Sequence, residues 1–277
     1  MNTLRALALL LLLGACAAPR PQAREAVAHR LGDRDYLLLD AHRGTAPAPL
    51  VVVLHGGGGN AGIMLERWAA TARAGGFILA APNGIGRLPR RGTWNAGGCC
   101  GEAQARGVDD VGFIAAVIAD AARQAPVDPR RVFVAGLSNG GMLTHRVAIA
   151  LGGRLAGAAV VAGAMFGDEP VPRAPVPMLI IHGEQDRSVA YGGGISPNPL
   201  VARAQTRPFL PVRQAVEFWR RADGCAGAPM TTSRDGVTVE GAAGCPVRFV
   251  SLAREGHGWP EGASAMVWDF FQGLPGR

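Results

Sequence analysis

The chain has 277 residues, 48% hydrophobic and 18% charged, enough to bury a sizeable core in one large domain and inconsistent with global disorder. All 28 basic residues are arginine, and the formal charge is +7, but the arginines are scattered, with no run beyond pairs such as Arg90-Arg91, Arg130-Arg131 and Arg220-Arg221. Without zinc-finger spacing or an aromatic–basic signature, this charge reads as a solvated basic surface and not as a nucleic-acid interface. The glycines follow no period and no repeat of roughly 20–50 residues is present, which excludes collagen-like chains, solenoids and propellers.

Residues 1–18 read as an export signal. Arg5 supplies the positive start, and Ala6 to Leu13 is an apolar run too short to span a bilayer as a helix. Leu13-Gly14-Ala15-Cys16 resembles a bacterial lipobox, which implies Cys16 as the lipidated first residue of an envelope lipoprotein, attached to the membrane through that anchor alone. The alternative is ordinary cleavage around Ala15-Cys16-Ala17, releasing a soluble exported protein. Residues 19–27 then form a tether and 28–277 a single domain, since no Pro/Ser-rich linker divides them.

From about residue 28, short β-like runs alternate with helical stretches. Tyr36–Leu39 reads as a strand and Leu50–Leu54 as a fully buried one. Met64–Ala74 reads as a helix, Phe77–Ala81 as a strand, and 109–124 as a helix with Val111, Ile114, Ala115, Ile118 and Ala122 on one face. Arg131–Ala135 is a buried strand feeding Gly136-Leu137-Ser138-Asn139-Gly140 and a helix to about Ala150. Ala158–Ala162 and Met178–Ile181 are central strands, and Gly192–Pro211 is an irregular surface loop. Val212–Arg221 is a helix, Val247–Leu252 a strand and Ala265–Phe271 the closing helix. The alternation predicts one α/β domain, a mostly parallel sheet with helices on both faces and a site at the carboxyl ends of its strands.

Setting Cys16 aside leaves four of the five cysteines. Cys225 and Cys245 flank a Gly- and Thr-rich hairpin-like stretch, and a disulfide between them is expected. Cys99 and Cys100 are adjacent and either form a vicinal bridge or stay reduced. No histidine or second cysteine pair lies at ligand spacing, so no metal is expected.

Gly136-Leu137-Ser138-Asn139-Gly140 matches G-x-S-x-G, and the predicted strand before it and helix after it are the context that motif needs. A serine on such a turn has its hydroxyl lifted above the sheet, and the flanking glycines avoid collisions there. The chemistry also needs two N–H groups aimed at a developing oxyanion. One is expected from Asn139, the other from Leu54-His55-Gly56-Gly57-Gly58-Gly59-Asn60, with Gly57 the assigned donor and Gly58 the alternative. In this fold an acid and then a histidine follow the serine. Asp186, in Ile180-Ile181-His182-Gly183-Glu184-Gln185-Asp186, is the expected acid, with Glu184 as runner-up. Of the six histidines only His257 follows it. His55 is expected to support the oxyanion loop, His182 to make a structural hydrogen bond and His145 to pack. Trp94 and Trp259 are expected either to wall a substrate pocket, where aromatic faces suit ring-bearing acyl groups, or to pack in the core and rim.

These residues resemble the α/β-hydrolase esterases grouped with polyhydroxybutyrate depolymerases and feruloyl or acetylxylan esterases, including bacterial lipoprotein members. The resemblance runs from about residue 32 to the C-terminus. Its marks are the 54–60 loop, Thr93-Trp94-Asn95-Ala96-Gly97-Gly98-Cys99-Cys100-Gly101, Val108-Asp109-Asp110-Val111-Gly112-Phe113, Val127-Asp128-Pro129-Arg130-Arg131-Val132 leading into 136–141, His182-Gly183 with Asp186, and Gly256-His257-Gly258-Trp259-Pro260. It implies a triad of Ser138, Asp186 and His257, no cofactor, an acyl-enzyme and ester substrates. The secreted polymer depolymerases usually carry a separate polymer-binding domain; none is visible in these residues, which turns the expectation from solid polyester to soluble short-chain or aryl esters. Two other readings remain: a serine peptidase of the same fold, and an inactive envelope lipoprotein that binds a ligand in a hydrolase pocket.

Overall fold

The computed structural model describes residues 25–277. The export signal, Cys16 and most of the tether lie outside the described residues. Val27–Leu31 (β1) and Arg34–Asp40 (β2) form a hairpin, followed by Ala48–Leu54 (β3), Ala61–Gly75 (α1), Ile78–Pro82 (β4), Gly101–Ala105 (α2) and Asp110–Gln124 (α3). Next come Val127–Leu137 (β5), Asn139–Leu151 (α4), Gly157–Val161 (β6), Met178–Gly183 (β7), Pro199–Ala204 (α5) and Val212–Ala222 (α6). Met230–Arg234 (β8), Val237–Ala242 (β9), Cys245–Leu252 (β10) and Ala263–Gln272 (α7) complete the described chain.

The strands form one sheet in the order β1-β2-β4-β3-β5-β6-β7-β10-β9-β8. The inner strands from β4 to β10 are parallel, and an antiparallel pair extends each side. β3, β4 and β6 are buried along their whole length, as their continuous apolar runs require of strands covered on both faces. Successive side chains go to opposite faces. Leu50, Val52 and Leu54 pack with Ile114, Leu143 and Trp219, so α3, α4 and α6 cover one face. Val51 and Val53 pack with Met64, Trp68, Val267 and Phe271, so α1 and α7 cover the other. Local signals set the helix ends. Asn60 and Asp109 cap α1 and α3 by accepting from Ile63 N–H (3.2 Å) and Gly112 N–H (2.8 Å), and Gly76, at φ 64°, ends α1.

The expected α/β architecture and parallel core are present, and the chain has the α/β-hydrolase arrangement of strands and helices. Three elements were not anticipated. β1 is an edge strand whose residues are mostly exposed, so it lacks an apolar alternation; it begins at Val27, inside the stretch assigned to a tether. α2 is only one short turn, and α5, inside the expected 192–211 loop, buries no residue and so has no periodic face. β5 also starts earlier than its apolar run, with an irregular register against β3 over the stretch that holds Pro129, which has no N–H for a ladder. No helix among the described residues is long and apolar enough to cross a membrane.

Cys225 and Cys245 are joined by a disulfide that encloses the β8–β9 hairpin, and Cys99 and Cys100 form a vicinal pair. The Cys225–Cys245 bond sits at the start of β10, at the opposite end of the strand from His257. Replacing both residues by serine is expected to lower the free energy of unfolding by about 3 kcal/mol, the chain-entropy value for a loop of this length. Urea denaturation checks this, with turnover of the folded variant expected to match the parent; an unchanged midpoint contradicts it.

Candidate active site

The serine turn is built by close backbone approach. β5 ends at Leu137, Ser138 follows at φ 54° and ψ −119°, and α4 begins at Asn139. A non-glycine residue held at positive φ is strained, and it persists where its surroundings over-determine it. Here Ser138 N–H donates to Val161 O on β6 (2.8 Å), and Met142 N–H donates to Ser138 O (2.8 Å). The glycines on either side have no room for a side chain. A Cβ on Gly136 would collide with the Gly140 carbonyl, and one on Gly140 would collide with the His55 carbonyl and reach 2.6 Å from Leu54 O. The start of α4 therefore lies directly against the end of β3.

That contact sets the 55–60 loop beside Ser138. A Cβ on Gly56 would lie 3.4 Å from Ser138 Cβ, and one on Gly57 would lie 3.8 Å from Asn139 Cβ. Gly59 N–H closes a turn onto Gly56 O (2.9 Å), while Gly58, at φ 78°, donates to Gly92 O (2.8 Å). The Gly58 amide is thereby engaged elsewhere, and Gly57 N–H has no acceptor among the described residues. His55 holds the loop from below: Nδ1 donates to Gly56 O (2.8 Å) and Nε2 accepts from Gly84 N–H (2.9 Å). The bond accepted by Nε2 needs the neutral ring, and burial, with the positive charge of Arg34, pushes its pKa down to about 4 despite the opposing bond to Gly56 O.

The acid and the histidine leave adjacent parallel strands at one level, because Leu252 of β10 pairs with Gly183 of β7. A Cβ on Gly183 would collide with Glu255 O and come within 2.7 Å of Gly256 O, so glycine is required where the two loops pass. Glu184 N–H to Leu252 O (3.0 Å) and Gln185 N–H to Glu255 O (3.0 Å) stitch them together. His257 Nδ1 then lies 2.8 Å from Asp186 Oδ2, and His257 Nε2 lies 2.9 Å from Ser138 Oγ. A carboxylate only accepts, so Nδ1 carries the proton and Nε2 accepts from the serine hydroxyl.

Asp186 Oδ1 accepts from Ser188 N–H and Val189 N–H, both at 2.8 Å, and Oδ2 also faces His182 Nε2 at 3.3 Å. Burial alone would raise the Asp186 pKa. The hydrogen bonds from His182, His257 and Val189 outweigh it and hold the carboxyl below its usual range, so it is ionised throughout the physiological pH range. Glu184 turns elsewhere, accepting from Ser251 Oγ (2.6 Å). His182 donates to Val189 O (2.8 Å) and His145 accepts from Trp219 Nε1 (2.9 Å), both buried as structural groups.

The pocket expectation needs correction for Trp94. Trp94 is fully buried, offers no surface to a substrate, and donates its indole N–H to His55 O (2.8 Å). Trp259 is half-buried, packs at 5.8 Å from the Trp68 ring and donates to Ser264 Oγ (3.1 Å), anchoring the far end of the His257 loop to the α1–α7 face. Sequence reasoning also missed a buried ion pair behind Trp94, Arg34 to Asp110 at 2.7 Å. Among the described residues no cluster of side chains is suited to a metal ion.

This arrangement of sheet, turn and loops has many counterparts among solved structures. An acetyl xylan esterase from Aspergillus awamori superposes with a TM-score of 0.64 at 18% identity, covering 86% of this chain and 94% of that one. The chain has the α/β-hydrolase fold. No protein-family model matches the sequence. In sequence the chain is 31% identical over 237 residues to feruloyl esterase B of Piromyces equi, matching 82% of this chain and 42% of that protein. It is 26% identical over 260 residues to feruloyl esterase C of Emericella nidulans, matching 88% of this chain and 85% of that protein. Three of its sequence relatives are matched over only 42% to 66% of their own length.

The backbone crossing at Gly140 predicts a specific sensitivity. Gly140→Ala is expected to lower stability by about 1–3 kcal/mol, the usual cost of overpacking. Thermal unfolding checks it, and a Tm equal to that of the parent contradicts the packing described.

Proposed function

We propose that the protein is a serine carboxylic ester hydrolase, with Ser138 as nucleophile, His257 as general base and acid, Asp186 as its orienting carboxylate, and the N–H groups of Gly57 and Asn139 as the oxyanion hole. The observation that carries this reading is the continuous line of two hydrogen bonds, 2.9 Å from Ser138 Oγ to His257 Nε2 and 2.8 Å from His257 Nδ1 to Asp186 Oδ2. It is made by residues from three strand ends, with the glycine loop alongside.

The chemistry follows from that line. Ser138 Oγ attacks the ester carbonyl carbon as His257 Nε2 takes its proton, and the carbonyl oxygen becomes an oxyanion facing the Gly57 and Asn139 amides. The ionised Asp186 stabilises the imidazolium through Nδ1–H. His257 then delivers its proton to the departing alkoxide, leaving an acyl ester on Ser138 and a free alcohol. Water attacks that ester, giving its proton to the same Nε2. The second tetrahedral species collapses to the carboxylic acid, and Ser138 regains its hydrogen.

The names of the relatives make feruloyl and acetyl esters the first substrates to try, with short hydroxyalkanoate esters next. The Cys225–Cys245 disulfide supports an oxidising, exported setting. With it we infer cleavage of the N-terminal signal and retention in the cell envelope through a lipid on Cys16.

Ser138→Ala is expected to reduce kcat for p-nitrophenyl acetate by about 10⁴-fold or more while Tm and circular dichroism stay those of the parent. Parent-like turnover in the variant removes Ser138 from the mechanism. Cleavage of peptide substrates by the parent, with none of feruloyl, acetyl or hydroxyalkanoate esters, overturns the esterase reading.

A further inference from the structure

The two amides of the proposed oxyanion hole come from segments far apart in the chain, and one of them sits in a run of glycines that has little stiffness of its own. Such a hole stabilises charge only if both donors are held at fixed positions before the reaction. Trp94 is bonded to both segments. Its N–H donates to Asn139 Oδ1 (2.7 Å) and its carbonyl accepts from Asn139 Nδ2 (2.9 Å), a two-point grip on a side chain that is 2% exposed. Its indole N–H donates to the His55 carbonyl (2.8 Å), immediately before the Gly56-Gly57 turn, and the indole packs against the His55 ring at 4.7 Å.

Trp94 is itself braced from several directions. Cys100 N–H donates to its carbonyl (3.1 Å). The next residue, Asn95, donates its N–H to Asp110 Oδ2 (2.7 Å), and Asp110 Oδ1 pairs with Arg34 (2.7 Å), whose guanidinium lies 3.6 Å from the centre of the Phe113 ring. On the α4 side Arg146 Nε donates to Ala96 O (2.6 Å). A segment fixed to β2, α3 and α4 thus meets both halves of the hole at one buried residue, the Trp94 backbone holding Asn139 and its indole holding His55.

We propose that Trp94, engaged by the Asn139 carboxamide, is the positioning residue of the oxyanion hole: it sets the spacing of the Gly57 and Asn139 amides and acts on the reaction without touching substrate. This rests on the esterase reading above. Because the hole favours the oxyanion over the ground-state carbonyl, loosening it lowers kcat and leaves KM in place.

Asn139→Asp tests the grip with almost no change of shape. The carboxylate loses the donor to Trp94 O, whereas the protonated acid restores both bonds, its O–H donating to that carbonyl and its C=O accepting from Trp94 N–H. With p-nitrophenyl acetate the expected result at pH 8 is a kcat about 10- to 100-fold below the parent, with KM within about twofold. The variant-to-parent ratio of kcat is then expected to rise about tenfold on going to pH 5.5, a comparison that cancels ionisations common to both proteins. Trp94→Phe introduces no charge and removes only the link to His55; it is expected to lose about tenfold in kcat at unchanged KM, with a ratio flat in pH, and it decides the matter if Asn139→Asp does not fold. An active parent whose variants keep kcat and lose only Tm, or raise KM instead, overturns the positioning role. A parent that hydrolyses no ester overturns the esterase reading itself.

Discussion

Where β5 turns into α4, two stretches of backbone lie in contact with no side chain between them, and the rest of the site depends on that contact. Gly140 sits against the carbonyls of Leu54 and His55, and Gly136 against Gly140. The result is a serine held at φ 54° beside the loop that follows β3. A larger residue at either glycine would separate the strand ends, moving the hydroxyl away from the amides proposed to act with it. The strain at Ser138 is balanced by packing on both faces of the sheet, which is why such a turn belongs in the middle of a buried parallel sheet and not at its edge.

Around this contact, burial divides otherwise similar groups into different roles. His55 and His145 are kept neutral, with pKa values pushed down to about 4 and about 3 chiefly by loss of solvent, and they serve as hydrogen-bonding braces. His257 lies on an exposed loop and is oriented by a buried carboxylate whose ionised form is favoured by the groups around it. Gly183 permits the acid and histidine loops to pass in backbone contact, so the pair is preorganised by β7 and β10 together with the hydrogen bonds that stitch the two loops. The same economy holds on the other flank, where one buried residue, Trp94, joins the glycine loop through its indole to the start of α4 through its backbone.

Much of this was legible in the residues. Continuous apolar runs marked the central strands because burial on both faces leaves no polar alternative there. The order of serine, acid and histidine along the chain left His257 as the one histidine after the acid, while Asp186 stood as the expected acid with Glu184 as runner-up, because the fold delivers successive strand ends to one edge of the sheet. What escaped is equally physical. β1 and α5 bury too little to imprint a period on their sequences. Trp94 read as a possible pocket wall because an aromatic residue near a glycine loop suits either surface or interior; only its contacts with Asn139 and His55 decide between them. The Arg34–Asp110 pair joins residues distant in sequence, and no local pattern encodes such a partnership.

The central claim is that Ser138 forms a covalent intermediate whose oxyanion is received by the amides of Gly57 and Asn139. The most direct measurement is a crystal structure of the enzyme after reaction with an alkyl fluorophosphonate, whose adduct mimics the tetrahedral species. The account predicts phosphorus bonded to Ser138 Oγ, with its non-bridging oxygen about 2.7–3.1 Å from both amide nitrogens. An adduct on another residue, no adduct at all, or an oxygen directed away from both amides would contradict it.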